Sequence, residues 1–296
     1  MSFIKRIIIF FVFRTIAPYA CTICTNVIFC SIKCRDIATN TYHQFECGIL
    51  NILWKSGSSI NCHMALRMIS QKSPEYFQNI ENDLKNGVKF EETTKYCMKN
   101  TYKNEIIICL NFRLPTNDYR KVFNLVRHEN TRDSKSFLQY ATMAYFLETT
   151  LALTKYFNDD ERNSRIHDVI GGLILRNLQF LQFNTHEIYE LNQSKSDMKT
   201  VFIGGGLYPT LALFNHSCNP GIVRYYKGTS VYVHAIANIT SGGMIAENYG
   251  PLYSQNSMEE RKATLKDLYW FDCNCLACRE VWPLYDEMST EELRFK

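Results

Sequence analysis

The chain has 296 residues, 46% of them hydrophobic and 21% charged, which is ordinary globular material with ample length for a sizeable core. That composition excludes a disordered tail, a collagen-like fibre and a disulfide-dense miniprotein. The 33 basic and 29 acidic side chains leave a formal charge of +4, too small to point to nucleic acid.

Residues 1–20 carry Lys5 and Arg6, an apolar run over 7–13 and then Ala17-Pro18-Tyr19-Ala20. The pattern imitates a secretory signal. Its apolar run is far shorter than the roughly 20 residues that span a bilayer, and a buried strand or a leader is the plainer reading. The 12 cysteines argue against secretion. Most lie in tight local runs, which suit a small tetrahedral ion better than a disulfide framework. A reducing compartment, cytoplasmic and/or nuclear, is therefore expected.

Cys21-x-x-Cys24 is followed by His43-x-x-x-Cys47. A CxxC turn brings two sulfurs to one ion, and a His/Cys pair spaced i, i+4 on a helix presents both donors on one face. Together they make a complete Cys₃His zinc site. Cys30 and Cys34 lie between them and supply two ligands with no second pair, so they read either as a third, half-liganded site or as small core residues.

Residues 48–185 read as mainly helical. From Phe137 the apolar positions Ala141, Ala144, Leu147 and Leu151 recur at spacings of three and four, with Asp133 as an N-cap. A second stripe runs through Ile166, Ile170, Ile174, Leu178 and Leu181. Gly204-Gly205-Gly206 breaks the helical texture, and β-branched and aromatic residues follow. Residues 222–226 and 230–235 form a hairpin around Lys227-Gly228-Thr229, and a further short strand is expected near 244–246. Helix returns over 258–268. The fold class is α+β.

Cys273-x-Cys275-x-x-Cys278 offers three ligands within six residues. A closed structural zinc site needs a fourth, whereas an incomplete one keeps an open position. The nearest attractive outside donor is Cys218, in Asn215-His216-Ser217-Cys218-Asn219-Pro220. That segment can equally be an Asx turn ended by Pro220.

Four motifs now stand in order: Gly206-Leu207-Tyr208-Pro209, then Asn215-His216-Ser217-Cys218-x-Pro220, then Asn248-Tyr249-Gly250, then Tyr269-x-Phe271-x-Cys273-x-Cys275-x-x-Cys278. They resemble the SET-domain lysine methyltransferases. With a MYND-type zinc element ahead of them, the chain resembles the SET-and-MYND family from about Cys21 to Pro283.

The resemblance implies a SET-type β fold with a helical insert, a partial MYND zinc element and a cysteine-rich post-SET zinc element. Its divisions would be 1–20 as leader or substitute strand, 21–47 as partial MYND element, 48–185 as helical insert, 186–250 as SET core, 251–283 as post-SET and 284–296 as tail. It implies S-adenosylmethionine and zinc as cofactors. Asn215 and His216 would hold the donor, Phe271 would stack on its adenine, and Tyr249 would line the methyl-transfer channel with Tyr269 beside it. Weaker matches place His128 and Asn184 near the donor. The zinc ligands would be Cys21, Cys24, His43 and Cys47 at one end, Cys30 and Cys34 in the half site, and Cys218, Cys273, Cys275 and Cys278 at the other. The partners implied are a protein substrate presenting a lysine, histone or non-histone, and a peptide docked on the zinc element. No nucleic-acid or membrane partner is expected.

The chemistry suits these residue types. A lysine ammonium cannot attack until it loses a proton, and an aromatic channel disfavours the charged form by desolvation. The sulfonium donor is already activated, so the enzyme's task is alignment.

The chain departs from the family pattern in four places. No Gly-x-Gly turn precedes Cys21, and the first CxxC of MYND is missing. Gly242-Gly243-Met244-Ile245 stands where the family has Gly-Glu-Glu/Gln-Ile, and no helical C-terminal domain follows. A truncated version of a longer product is the expected explanation, and a catalytically inactive interaction scaffold or transcriptional co-regulator is the alternative function.

Overall fold

A computed structural model describes residues 2–4, 8–11, 18–86, 118–157, 165–193, 198–227 and 230–288. In chain order its strands are β1 (Ser2–Ile4), β2 (Ile8–Phe11), β3 (Tyr19–Ala20), β4 (Ile28–Phe29), β5 (His186–Gln193), β6 (Met198–Leu207), β7 (Asn215–His216), β8 (Ile222–Lys227), β9 (Ser230–Ala235) and β10 (Ala246–Glu247). Its helices are α1 (Ile32–Thr39), α2 (His43–Glu46), α3 (Leu50–Lys55), α4 (Ile60–Ser70), α5 (Pro74–Lys85), α6 (Arg120–Phe123), α7 (Ser134–Ala152), α8 (Arg165–Asn184), α9 (Met258–Tyr269) and α10 (Leu276–Arg279). The chain is a mixture of helix and strand, as expected. Among the described residues no helix is long and apolar enough to cross a membrane.

The described residues fall into two compact units, each discontinuous in sequence. One combines 8–11, 18–86, 118–157, 165–193 and 198–209; the other combines 2–4, 210–227 and 230–288.

In the first unit the helices begin where side-chain caps permit. Asp133 accepts the Ser136 N–H at 2.7 Å ahead of α7, and Ser73 caps α5 with Pro74 in its first turn. The apolar stripe of α8, with Ile170, Ile174, Phe180 and Leu181 fully buried, packs on α4, α5 and α7. Beside the helices lies an antiparallel sheet of order β2-β6-β5. The Gly204-Gly205-Gly206 run, read from the sequence as a helix breaker, forms part of the central strand β6. A Cβ at Gly205 would come within 3.3 Å of both Met64 Sδ and Thr185 Cγ2, so glycine is what allows helix side chains to approach this strand.

The second unit holds the antiparallel sheet β1-β9-β8, with the β8/β9 hairpin pairing Ile222↔Ala235 through Lys227↔Ser230. It also holds a short parallel pair, with Ala246 opposite Asn215 and Glu247 opposite His216. The strand expected at 244–246 is displaced to Ala246–Glu247, because a turn with Gly242 at φ +81° occupies the preceding residues. Helix α9 opens on a reciprocal cap in which Ser257 accepts from the Glu260 N–H and Glu260 accepts from the Ser257 N–H.

Candidate functional site

Four cysteines converge in the second unit. Cys218 leaves β7, while Cys273, Cys275 and Cys278 come from the segment after α9, where Cys275 opens α10 and Cys278 follows one turn on. Their sulfurs all lie within 4.8 Å of one another. Cys218 Sγ is 3.9 Å from Cys273 Sγ and 3.6 Å from Cys278 Sγ. A tetrahedral zinc ion with bonds of about 2.3 Å to sulfur has sulfur–sulfur edges of about 3.8 Å. The cluster therefore fits one such ion, with Cys218 as the fourth ligand. The backbone N–H of Cys218 donates to Cys275 Sγ at 3.4 Å, which favours the thiolate form.

His216 sits between this cluster and Tyr249. The Tyr249 N–H donates to His216 Nδ1 at 3.0 Å, which places the ring proton on Nε2, 3.3 Å from Cys218 Sγ. Burial pulls the imidazole pKa down to about 4, so the ring is neutral at pH 7. Both ring nitrogens are thereby engaged inside the protein. His216 orients the metal ligand and Tyr249, and only its backbone remains to meet a ligand.

An aromatic group surrounds this point. The Tyr249 ring centroid lies 4.9 Å from Tyr269 and 6.4 Å from Phe271, whose ring stands at 89° to it. The Tyr249 hydroxyl donates to the Phe214 carbonyl at 2.6 Å, and the Tyr269 hydroxyl donates to the Tyr249 carbonyl at 3.1 Å. Burial pushes the Tyr249 phenol well above its ordinary pKa, so it stays protonated at neutral pH. Phe271 is half-buried against the core formed by Cys218, Leu265, Cys273, Ala277 and Cys278. Asn215 is exposed, with its amide near Met244 Sδ.

Asn248 is a residue that sequence reasoning passed over. Its amide donates to the carbonyls of Ser217 and Pro251 at 3.1 and 2.8 Å, and its Oδ1 accepts the Gly250 N–H at 2.8 Å. It holds the Tyr249 loop against the segment carrying His216. Its place in Asn248-Tyr249-Gly250, a turn-forming triplet, was the available signal. Buried Glu247 pairs with Arg224 on β8 and holds the other side of the same crossing.

The first unit carries the second ligand cluster: Cys21, Cys24, His43 and Cys47. Cys21 Sγ and Cys47 Sγ are 3.9 Å apart, and Cys24 Sγ is 3.5 Å from His43 Nε2. Both match the edges of a tetrahedron built on zinc bonds of about 2.3 Å to sulfur and 2.0–2.1 Å to nitrogen. Between the ligands His43 and Cys47 stands Glu46, fully buried, which receives Arg67 Nε at 3.0 Å and the Ser70 hydroxyl at 3.2 Å and lies 3.2 Å from His63 Nε2. Burial alone would raise its pKa, but the charges of Arg67 and His63 hold it down at about 2. Glu46 thus fastens the cysteine-rich element to α4, a role no local pattern revealed. Cys30 Sγ and Cys34 Sγ are exposed and 3.4 Å apart, and among the described residues they join no group of three or more ligands.

His128 and Asn184 also belong to the first unit and meet each other's segments. Asn184 donates its amide to the carbonyls of Val126 and Phe180 at 2.8 and 2.7 Å, and the His128 ring meets Phe183 edge-on at 4.8 Å. His128 is in the left-handed region at φ 49°. These residues and the Tyr249 group belong to different units.

No protein-family model matches the chain. Among curated proteins it is similar to protein-lysine N-methyltransferase SMYD4 of Homo sapiens, 26% identical across 90% of this chain and 38% of that protein. It is also similar to histone-lysine N-methyltransferase ASHR1 of Arabidopsis thaliana, 25% identical across 91% of this chain and 50% of that protein. A shorter stretch of 82 residues, 28% of this chain and 19% of the relative, is 37% identical to N-lysine methyltransferase SMYD2-B of Xenopus laevis. The chain thus spans between 38% and 50% of the length of the two relatives matched along most of it. Along nine-tenths of its residues the chain is similar to SET-and-MYND and related lysine methyltransferases, and both of its ligand clusters are assembled.

Proposed function

We propose that this chain transfers a methyl group from S-adenosylmethionine to a lysine of a protein substrate, histone or non-histone, with structural zinc in both ligand clusters of a SET-type fold. The observation that carries the reading is the gathering of His216, Tyr249, Tyr269 and Phe271 around the Cys218 cluster. The residues suit an adenosyl sulfonium: Phe271 is only half-buried, and Asn215 is exposed on the same unit. Asn215, Phe271 and the His216 backbone would hold the donor, with His128 and Asn184 as the weaker assignments. When bound, the donor supplies an electrophilic methyl group that needs no further activation.

What the chain's own residues contribute is position and desolvation. The Tyr249 hydroxyl has committed its proton to the Phe214 carbonyl, so its oxygen offers lone pairs to a lysine N–H. Because that phenol stays protonated at neutral pH, it orients the amine and is no general base. Tyr269 fixes the Tyr249 backbone from the other side. The aromatic walls disfavour an ammonium and so favour loss of its proton to water before transfer. A cytoplasmic and/or nuclear, reducing location is proposed with it, since thiolate ligands hold zinc only where they stay reduced.

Calorimetry with S-adenosylhomocysteine on the zinc-loaded chain tests the reading. Binding that weakens at least tenfold in Phe271→Ala is the expected result. A folded, zinc-loaded chain that binds no S-adenosylhomocysteine would sink the enzyme reading and leave the interaction scaffold, whose zinc element docks a peptide.

A further inference from the structure

Arg261 is the largest fully buried side chain of the chain's described core, at 0% exposure, and it lies on α9 beside the Cys218 cluster. Its guanidinium donates Nη1–H to the Asn256 carbonyl at 2.6 Å and Nη2–H to the Ala277 carbonyl at 3.3 Å. Nη2 also lies 3.8 Å from Cys278 Sγ. Its Nε is buried and finds no hydrogen-bond partner, and no carboxylate pairs with it among the described residues. Two carbonyl dipoles do not offset the cost of burying a full positive charge, which proteins meet with an opposite charge or a metal centre.

Four thiolates around one divalent ion carry a net charge of −2. Nothing else described beside Arg261 offers a compensating negative charge. We propose that Arg261 is the counter-cation of the four-cysteine centre, its guanidinium beside Cys278 Sγ setting how firmly the centre keeps its ion. The inference rests on the reading that Cys218, Cys273, Cys275 and Cys278 bind a divalent metal. It adds a third donor to a set that already sends His216 Nε2–H to Cys218 and the Cys218 N–H to Cys275. Each donor meets a different sulfur, and only Arg261 brings a charge. Groups that orient or polarise first-layer ligands change metal affinity by about 10- to 100-fold when removed.

Zinc release from the 296-residue chain to a chromogenic chelator tests this. The Cys21 cluster belongs to the other unit and serves as an internal reference; a Cys24→Ser background isolates the Cys218 centre. Arg261→Met should release the ion of that centre at least tenfold faster, with the reference unchanged, and Arg261→Lys should stay within about threefold of the parent. Release from Arg261→Met at the parent rate, or equal acceleration in Lys and Met variants, overturns the proposal. If the parent itself carries no metal at this centre, the metal reading fails instead, and the stoichiometry shows that directly. Should Arg261→Met not fold, Arg261→Gln replaces it, since glutamine keeps amide donors for the carbonyls without the charge. Slower release from the Lys than from the Gln variant supports the counter-cation; equal or slower release from Gln overturns it.

Discussion

The backbone N–H of Tyr249 donates to Nδ1 of His216 at 3.0 Å, joining residues 33 positions apart and fixing which ring nitrogen faces the metal cluster. This one bond couples the metal centre to the tyrosine proposed to hold the lysine amine. His216→Ala should therefore weaken metal retention at the Cys218 cluster by about 10- to 100-fold. It should also loosen the Tyr249 loop. Zinc content after dialysis against a graded chelator measures the first effect, and amide exchange at Tyr249 measures the second.

Tyr249→Phe removes the hydrogen bond to the Phe214 carbonyl and leaves the ring packing in place. The expected cost in stability is about 1 kcal/mol. Methyl transfer to a lysine peptide should fall by roughly 100-fold, because a misplaced reacting group costs far more than a lost hydrogen bond. Affinity for S-adenosylhomocysteine should change little. Denaturant titration, turnover and calorimetry on the same preparation separate the three quantities.

Glu46 makes part of the stability depend on pH. Its folded pKa of about 2 lies below the usual carboxylate value, so its contribution is complete above about pH 5 and is lost as pH falls toward 2. The amount at stake is on the order of 3 kcal/mol. Glu46→Gln should remove that component and leave Arg67 as an uncompensated buried charge, destabilising the chain by about 3–5 kcal/mol. Unfolding midpoints of parent and variant between pH 3 and 7 should converge at the acid end. Parallel curves across that range would show that Glu46 titrates alike in the folded and unfolded chain and contributes no pH-dependent stability.

Removing metal should lower the unfolding midpoint strongly, since structural zinc contributes about 10 kcal/mol or more in comparable elements. Cys24→Ser and Cys273→Ser should each lower bound zinc by one equivalent per chain. An unchanged midpoint after exhaustive chelation would mean that neither cluster holds a structural ion.

Gly205→Ala should cost about 1–3 kcal/mol, because the added methyl meets Met64 and Thr185 at 3.3 Å. Thermal unfolding of the two proteins measures it. A neutral result would show that the Met64 side chain swings aside.

Several elements were legible because they depend on near neighbours in the chain. The stripes over 137–151 and 166–181 foretold α7 and α8, Asp133 foretold a cap, and the β-branched runs around 228 foretold the β8/β9 hairpin. The glycine triplet misled in kind: it does end the helical region, but the strand runs through it, because packing against Met64 and Thr185 rewards the absence of side chains there.

The amino-acid order alone settled the two ligand sets and the local elements, since a CxxC turn, a helical i, i+4 pair and an amphipathic stripe are complete within a few residues. Even distant Cys218 was within reach, because three cysteines in six residues demand a fourth donor. Folding in three dimensions decided what each polar group faces: the tautomer of His216, the Asn248 clasp on Ser217, the Glu46 anchor on Arg67 and the burial of Arg261 beside Cys278. Those contacts join residues between 17 and 33 positions apart. Their energies come from desolvation and charge, which depend on which segments meet rather than on what stands next in the chain.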